Sequence, residues 1–286
     1  MKNRYYQIAG HTLSIHGEEL CKAVDEIRGF EPFAIDERET DFSFIEGSEV
    51  PEFSSVQYSF TYEGTTGEFG RNDKGGFMLA LTPEDATPLY IWADEGGKVA
   101  QVKGNYEISH IRFALWVGYG MMALPYGTVA IHTSCIVYHD QAVLFLGESG
   151  TGKSTHTRLW REHVEGSFLL NDDSPIIRVE DGVVWVYGSP WSGKTPCYKA
   201  QRHQLKGCVR LSQAPHNKIR KLSILQAYGA IHPSCPPEFA YDNALYDHVS
   251  RFISELLRRT PFYHMECLPD REAALLSSST LFPDIE

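Results

Sequence analysis

GESGTGKST, residues 147–155, fits the pattern GxxxxGK[ST], and so does GSPWSGKT at 188–195. The pattern describes a turn whose successive backbone N–H groups point inward at an anion, with the following helix adding the positive end of its dipole. It therefore carries weight only between a buried strand and a helix. The first copy meets that condition: AVLFL before it is a continuous apolar run, and THTRLWREH after it holds no Pro or Gly to stop a helix. The second copy does not. Pro190 removes a donor inside the loop, and Pro196 follows at once with no helical pattern beyond it. The expectation is that Gly147, Ser149, Gly150, Thr151, Gly152, Lys153, Ser154 and Thr155 cradle phosphates. In that arrangement Lys153 reaches the β and γ phosphates of ATP and the Ser154 hydroxyl ligates Mg²⁺.

Downstream, SFLLN predicts a short strand at 167–171, running into Asp172 and Asp173. One helix and one strand separate Lys153 from this acidic pair, the length of a βαβ step. If the strand runs parallel to AVLFL, its carboxyl end opens on the same sheet edge as the glycine-rich turn. Phosphoryl transfer needs a carboxylate to hold metal and one to orient the attacking hydroxyl, so adjacent aspartates can divide the labour. The bland alternative is a solvated turn pair. Upstream, VAIHTSCIVY at 129–138 predicts a strand beside AVLFL, with His139 and Asp140 as a hairpin turn. His132 lies on that strand, either as a core residue or as a member of the site. For the second loop two readings stand: an ordinary connection after a hairpin, or a flatter anion-binding edge built from Gly188, Ser192, Gly193 and Lys194.

Further out, the texture changes along the chain. Residues 1–106 predict a β-rich domain, with strands at VQYSFTY, GFMLALT and PLYIWAD and one helix near GEELCKAVDEI. From Glu107, ISHIRFALWVGYGMMAL has helical spacing and ends at Pro125 and Gly127. It is assigned with the second domain, 107–286. PIIRVEDGVVWVYG predicts a hairpin turning at Asp181 and Gly182. DNALYDHVSRFISELLRR predicts a helix, FYHMECL a strand, and DREAALLSSSTLF a closing helix.

Composition excludes several roles. With 26 Lys and Arg against 37 Asp and Glu, the net charge of -11 argues against nucleic acid and against an anionic membrane surface. Lys218, Arg220 and Lys221 form a local basic cluster that reads as a solvated face. The six cysteines are scattered, with no CxxC pair and no zinc-ligand spacing, which suits a reducing compartment. The start has no apolar run of signal-peptide length, so the expected location is the cytoplasm.

Together, IHTSCIVY, GESGTGKST, LLNDD and the GSPWSGK loop resemble the catalytic domain of the HPr kinase/phosphorylase superfamily, a fold related to the nucleotide-binding part of phosphoenolpyruvate carboxykinase. The resemblance spans roughly residues 107–286, and PFYHMECLPDREAALL adds a closing segment similar to that of the HPr-kinase-related branch. It implies an α/β fold with a P-loop-containing catalytic domain behind a smaller β-rich one. It further implies that Asp172 is the general base, that Ser154 and Asp173 hold the metal, that His132 supports the catalytic aspartate, and that the protein is a homo-oligomer. The chain carries no counterpart of the family's EIRGLG-like signature, so the resemblance does not extend to the reverse, phosphate-driven reaction.

The function expected from these residues is an ATP-dependent, Mg²⁺-assisted kinase acting on a hydroxyl of a protein or small molecule. The alternative is a nucleotide-sensing module that recognises a partner with little chemistry. Carboxykinase chemistry would need a further Lys and His metal set and a carboxylate-binding Arg, which the sequence does not place.

Overall fold

The computed structural model describes residues 3–62, 64–193 and 195–285. It is mixed α/β with two sheets, and the chain divides into two units, Met1–Gly127 with Glu238–His248, and Thr128–Pro237 with Val249–Glu286.

In the first unit the strands are β1 (Arg4–Ile8), β2 (His11–His16), β3 (Phe42–Glu46), β4 (Phe53–Tyr62), β5 (Thr65–Asn72), β6 (Phe77–Thr82), β7 (Leu89–Ala93) and β8 (Val99–Gly104). They form one sheet in the order β1-β2-β3-β8-β7-β6-β5-β4. β2, β3 and β8 run parallel, and the rest pair antiparallel through hairpins. A parallel step requires a crossover, and α1 (Glu18–Glu26) lies within the one from β2 to β3. Its Leu20, Cys21, Ala23 and Val24 are buried at helical spacing.

The helix expected at the head of the second domain, α2 (Ile108–Ala123), belongs to the first unit instead. The boundary therefore falls after Gly127 rather than after residue 106. The reason is burial: Ile111, Ala114, Leu115, Val117 and Tyr119 are all enclosed, and the Tyr119 hydroxyl donates to Ile8 O at 3.0 Å. Residues Glu238–His248 return to the same unit from far along the chain. Phe239 packs on Phe69, and Tyr241 stacks on Tyr58 with ring centroids 4.7 Å apart. Asp242 accepts from Arg71 Nε at 2.7 Å, from Arg71 Nη2 at 2.8 Å and from Gln57 Nε2 at 2.9 Å.

The second unit holds β9 (Thr128–Ala130), β10 (Thr133–Tyr138), β11 (Gln141–Leu146), α3 (Lys153–His163), β12 (Phe168–Asp173), β13 (Ile176–Glu180), β14 (Val183–Tyr187), β15 (Arg202–Gln213), β16 (Lys218–Lys221) and α4 (Ile224–Ile231). α5 (Asn243–Arg259) begins among the residues of the first unit and ends in the second, followed by β17 (Phe262–Cys267) and α6 (Arg271–Leu281). The sheet order is β12-β10-β11-β15-β14-β13-β9, with β17 between β15 and β16. β10 is antiparallel to both neighbours, so β11 and β12 run in the same direction on either side of it. β15 and β17 continue that direction. The carboxyl ends of four strands therefore meet at one edge.

Beneath that edge the core is aromatic. Trp160, fully buried on α3, meets Phe145 at 5.7 Å and Tyr138 at 6.1 Å, and its Nε1 donates to Ser277 Oγ of α6 at 2.8 Å. The same hydroxyl lies 3.0 Å from His156 Nε2. Burial drives the His156 pKa down to about 4, so this imidazole is a neutral structural group near neutral pH. Among the described residues no helix is long and apolar enough to cross a membrane.

The Arg71–Asp242 pair generates a test. Burial raises the Asp242 pKa, but the bonds from Arg71, Gln57 and the Leu245 N–H outweigh it and hold the group down at about 2, against 3.8 unperturbed. A folded value below the unfolded one stabilises the native state above the unfolded pKa, and this is lost as pH falls through the folded one. Asp242→Asn should lower the unfolding free energy at pH 7 by about 2 kcal/mol. It should also remove the loss of stability between about pH 4 and pH 2, read by denaturant titration at each pH.

Candidate functional site

The glycine-rich turn owes its shape to residues that can take positive φ. Gly147 sits at φ 146°, and a Cβ there would lie 2.5 Å from Thr151 Oγ1. Thr151 closes the turn, its Oγ1 donating to Glu148 O at 2.8 Å. α3 then starts at Lys153, its first-turn N–H groups unopposed by any side-chain cap. Strand, turn and helix thus stand as the sequence predicts.

The register of the sheet brings the acidic pair to this turn. In β10, Ser134 stands opposite Phe145 of β11 and opposite Asp172 of β12, and Thr133 stands opposite Asp173. Two residues past Phe145 the turn begins, so loop and carboxylates share one edge. Ser154 Oγ donates to Asp172 Oδ1 at 3.1 Å, and Ser134 Oγ donates to the same oxygen in a short bond. Asp172 is 4% exposed.

Asp173 faces another way. Its side chain is 35% exposed, with Oδ1 3.0 Å from His132 Nδ1. His132 Nε2 lies 3.2 Å from Lys153 Nζ. An ammonium can only donate, so Nε2 accepts and Nδ1 carries the hydrogen that points at Asp173. Lys153, His132 and Asp173 form a chain of alternating donors and acceptors. Lys153 Nζ also donates to Gly147 O at 2.8 Å and Glu148 O at 3.2 Å. Burial lowers the pKa of Lys153, against the opposing pull of Asp173 and Asp172.

His132 is not within a strand, contrary to the expectation from VAIHTSCIVY. β9 pairs with β13 while β10 pairs with β11 and β12, so the chain changes partners at Ile131 and His132. Ile131 N donates to Pro175 O at 3.1 Å and His132 N to Ser234 O at 2.8 Å, which fixes the break and leaves the imidazole half exposed.

The second GxxxxGK[ST] stretch is a brace. Ser189, Trp191 and Ser192 are buried. Asn171 Nδ2 donates to Trp191 O at 3.0 Å, while Asn171 Oδ1 accepts from Ser174 N at 2.9 Å. Ser192 Oγ donates to Asp172 O at 3.2 Å and receives Cys197 N at 3.2 Å. The Gly193 N–H, a member of the anion-binding edge in one of the two readings of this loop, donates to Asp172 O at 2.5 Å. A Cβ on Gly193 would lie 3.1 Å from that oxygen and from Asp173 Cβ, so the close approach favours glycine. Lys194 lies outside the described residues.

Two members of the site were not singled out from sequence. Ser134 is one hydroxyl among several in TSCIVY, and only the pairing of β10 with β12 gives it Asp172. Asn171 had a readable signal, a carboxamide closing the apolar run FLL, and the structure buries it fully. Among the described residues no cluster of three or more His, Cys, Asp or Glu could hold a metal. The oxygen pair of Ser154 and Asp172 is instead the two-donor type that leaves further positions to phosphate and water.

No family model matches this chain, and no curated protein matches it. Among solved structures, the Hpr(Ser) kinase/phosphatase from Coxiella burnetii is similar over 54% of this chain and 94% of its own, at 14% sequence identity and a TM-score of 0.31.

The brace generates a test. Asn171→Ala leaves Ser174 N without its buried acceptor and removes one of the two donors to Trp191 O, a cost of about 1–3 kcal/mol. Urea unfolding should show that loss, and hydrogen exchange at the Gly193 amide should accelerate, because the loop no longer holds to the carboxylate strand.

Proposed function

We propose that this pocket transfers a phosphoryl group from a nucleoside triphosphate, ATP in the first instance, to a hydroxyl of a protein or small molecule. The observation that carries the reading is the convergence at one glycine-rich turn of two hydrogen-bonded sets, Ser154 with Asp172, and Lys153 with His132 and Asp173. The amides of the turn and the start of α3 provide donors for phosphate oxygens. Lys153 would exchange the carbonyl oxygens it now meets for phosphate oxygens of the same hydrogen-bonding character.

The geometry favours a division of labour between the two aspartates that reverses the one implied by resemblance. Asp172 is buried and already shares its Oδ1 with the Ser154 hydroxyl, so these two oxygens suit Mg²⁺. When bound, that ion neutralises charge on the phosphates and on the transferred group. Asp173 is the accessible carboxylate, and its bond from His132 aims it. It is the better base for a substrate hydroxyl. His132 is a positioning residue in this reading, set in one tautomer by Lys153 on its far side.

The test is transfer of labelled γ-phosphate in the presence of Mg²⁺, scored against water, small alcohols and hydroxyl-bearing proteins, alongside calorimetric nucleotide binding. Asp173→Asn should reduce transfer by about 10²–10⁴-fold while leaving nucleotide affinity within a few-fold. Asp172→Asn should instead raise the Mg²⁺ concentration needed, and Lys153→Met should weaken nucleotide binding. Full transfer by Asp173→Asn would overturn its role. Nucleotide binding with no transfer by the wild type to any acceptor, water included, would favour the sensing module.

A further inference from the structure

Within the second unit a single row of residues can be followed across the sheet from Asp173. Asp173 of β12 stands opposite Thr133 of β10, and since Ser134 stands opposite Phe145, Thr133 is level with Leu146 of β11. Leu146 stands opposite Arg210 of β15, Arg210 opposite His264 of β17, and His264 opposite Arg220 of β16. Residues opposite one another share a face of the sheet, and the face alternates along each strand. On the other face Val209, Leu211 and Met265 pack in one core with Leu159 and Trp160 of α3. The stretch of the row from Arg210 to Arg220 therefore lies on the face turned away from α3. One step further along the strands, Lys218 stands opposite Glu266 on the same face.

This face is locally basic on a chain that is acidic overall, with 26 Lys and Arg against 37 Asp and Glu. Among the described residues Arg220 and Lys218 are exposed and meet no carboxylate, and Arg220 Nη1 donates to the carboxamide of Gln226 at 3.2 Å. Arg210 donates to Gly229 O at 3.0 Å and stands 3.8 Å from the exposed Glu148 of the glycine-rich turn, a loose pair. Burial first and then Arg220 lower the pKa of His264, with Arg210 adding to them and Glu266 opposing, so the imidazole is neutral near neutral pH. Glu266 itself lies 3.6 Å from His216. Lys221, the third member of the basic cluster seen in the sequence, stands opposite Tyr263 and so belongs to the other face. A solvated surface accounts for exposed charge, but not for arginines from two strands aligned by register with the carboxylate assigned as base.

The spacing sets the size of what could use this row. Adjacent strands lie about 4.8 Å apart, which puts Arg210, three strands away, about 14 Å from β12, and Arg220, five strands away, about 24 Å from it. An extended polypeptide advances about 3.4 Å per residue, so these distances correspond to about four and about seven residues. We propose that the row docks an acidic segment of the polypeptide whose hydroxyl is phosphorylated, its carboxylates about four to seven residues from that hydroxyl. Calling the segment's owner the acceptor rests on the phosphotransferase reading, whereas the charge complementarity of row and segment does not.

The test compares fluorescent peptides that carry a serine and, at that spacing on either side, a run of glutamates, with counterparts carrying glutamines. By anisotropy the glutamate peptides should bind about ten-fold more tightly at low salt, and the difference should shrink as salt rises. Arg220→Gln combined with Lys218→Gln, both at exposed positions, should remove most of the difference and leave the unfolding midpoint and ATP binding as they were. Arg210→Gln added to these should deepen the loss. In the transfer assay the paired substitution should raise KM for the glutamate peptide about ten-fold at unchanged kcat. Equal binding of glutamate and glutamine peptides, or undiminished binding of the glutamate peptide by the paired variant, would overturn the docking row while the phosphotransferase reading stands. Tighter binding of a single-stranded DNA of equal charge would overturn it as well. Docking at the row with no transfer by the wild type to any acceptor would overturn the phosphotransferase reading and leave the row as an acidic-peptide site.

Discussion

The site depends on the register of a single strand. β10 lies between β11 and β12 and is antiparallel to each, and its Ser134 aligns Phe145 on one side with Asp172 on the other. Because side chains alternate across a sheet, a slip of one residue on either side would turn Asp172 to the opposite face and bring Asn171 to the turn. Two features hold the register. The hairpin of β10 and β11 is tight, with His139 and Asp140 both in the left-handed region at φ 46° and 59°, as a two-residue turn requires. On the other side, Ser134 itself bonds to the carboxylate opposite it. Ser154 and Asp172 face each other because of this one row.

The two glycine-rich stretches show how little a pattern decides without its neighbours. After Thr155 the chain continues as α3, so the amides of the turn converge on a helix start. After Thr195 comes Pro196, and no helix forms before β15 begins at Arg202. With no helix to lead into, the second stretch turns its polar groups on the protein. Ser189, Ser192 and Gly193 bond to the main chain of the carboxylate strand and its own loop. One copy therefore leads into a helix start with no side-chain cap, and the other fixes the strand that carries Asp172 and Asp173.

Elements bounded by local chemistry were legible in the sequence. The hairpins at 139–140 and 181–182, the helix after Gly152 and the closing strand and helix all follow from glycine, proline and apolar spacing, and all stand close to their expected bounds. What was not legible depends on distant partners. The break at His132 exists because two halves of an apolar run pair with different strands. β15 is long and mixed in polarity because β14, β11 and β17 each cover a different part of it. The return of Glu238–His248 to the first sheet rests on Asp242 finding Arg71, a pairing across 171 positions that no local window contains. For the site, the loop and the acidic pair could be read directly, whereas Ser134 and the brace needed the sheet.

Asp173 concentrates these constraints. Its φ of 132° is outside the region that a side chain with a Cβ ordinarily adopts, a conformation costing about 1–3 kcal/mol that persists only when the surroundings over-determine it. The surroundings here do so. Its backbone bridges Ser192, its carboxylate meets His132, and the residues on either side are held, Asp172 by Ser192 and Gly193 and Ser174 by Asn171. A relaxed backbone at this point would continue β12 and send the carboxylate along the strand's alternation. The strained one breaks the strand's alternation at its last residue, so that of two consecutive aspartates one meets Ser154 and the other meets His132. One is buried beside a hydroxyl and the other is accessible beside an imidazole. The strain thus separates two chemically identical neighbours into two environments, and the second loop, by holding the strand's last carbonyl, keeps it in place.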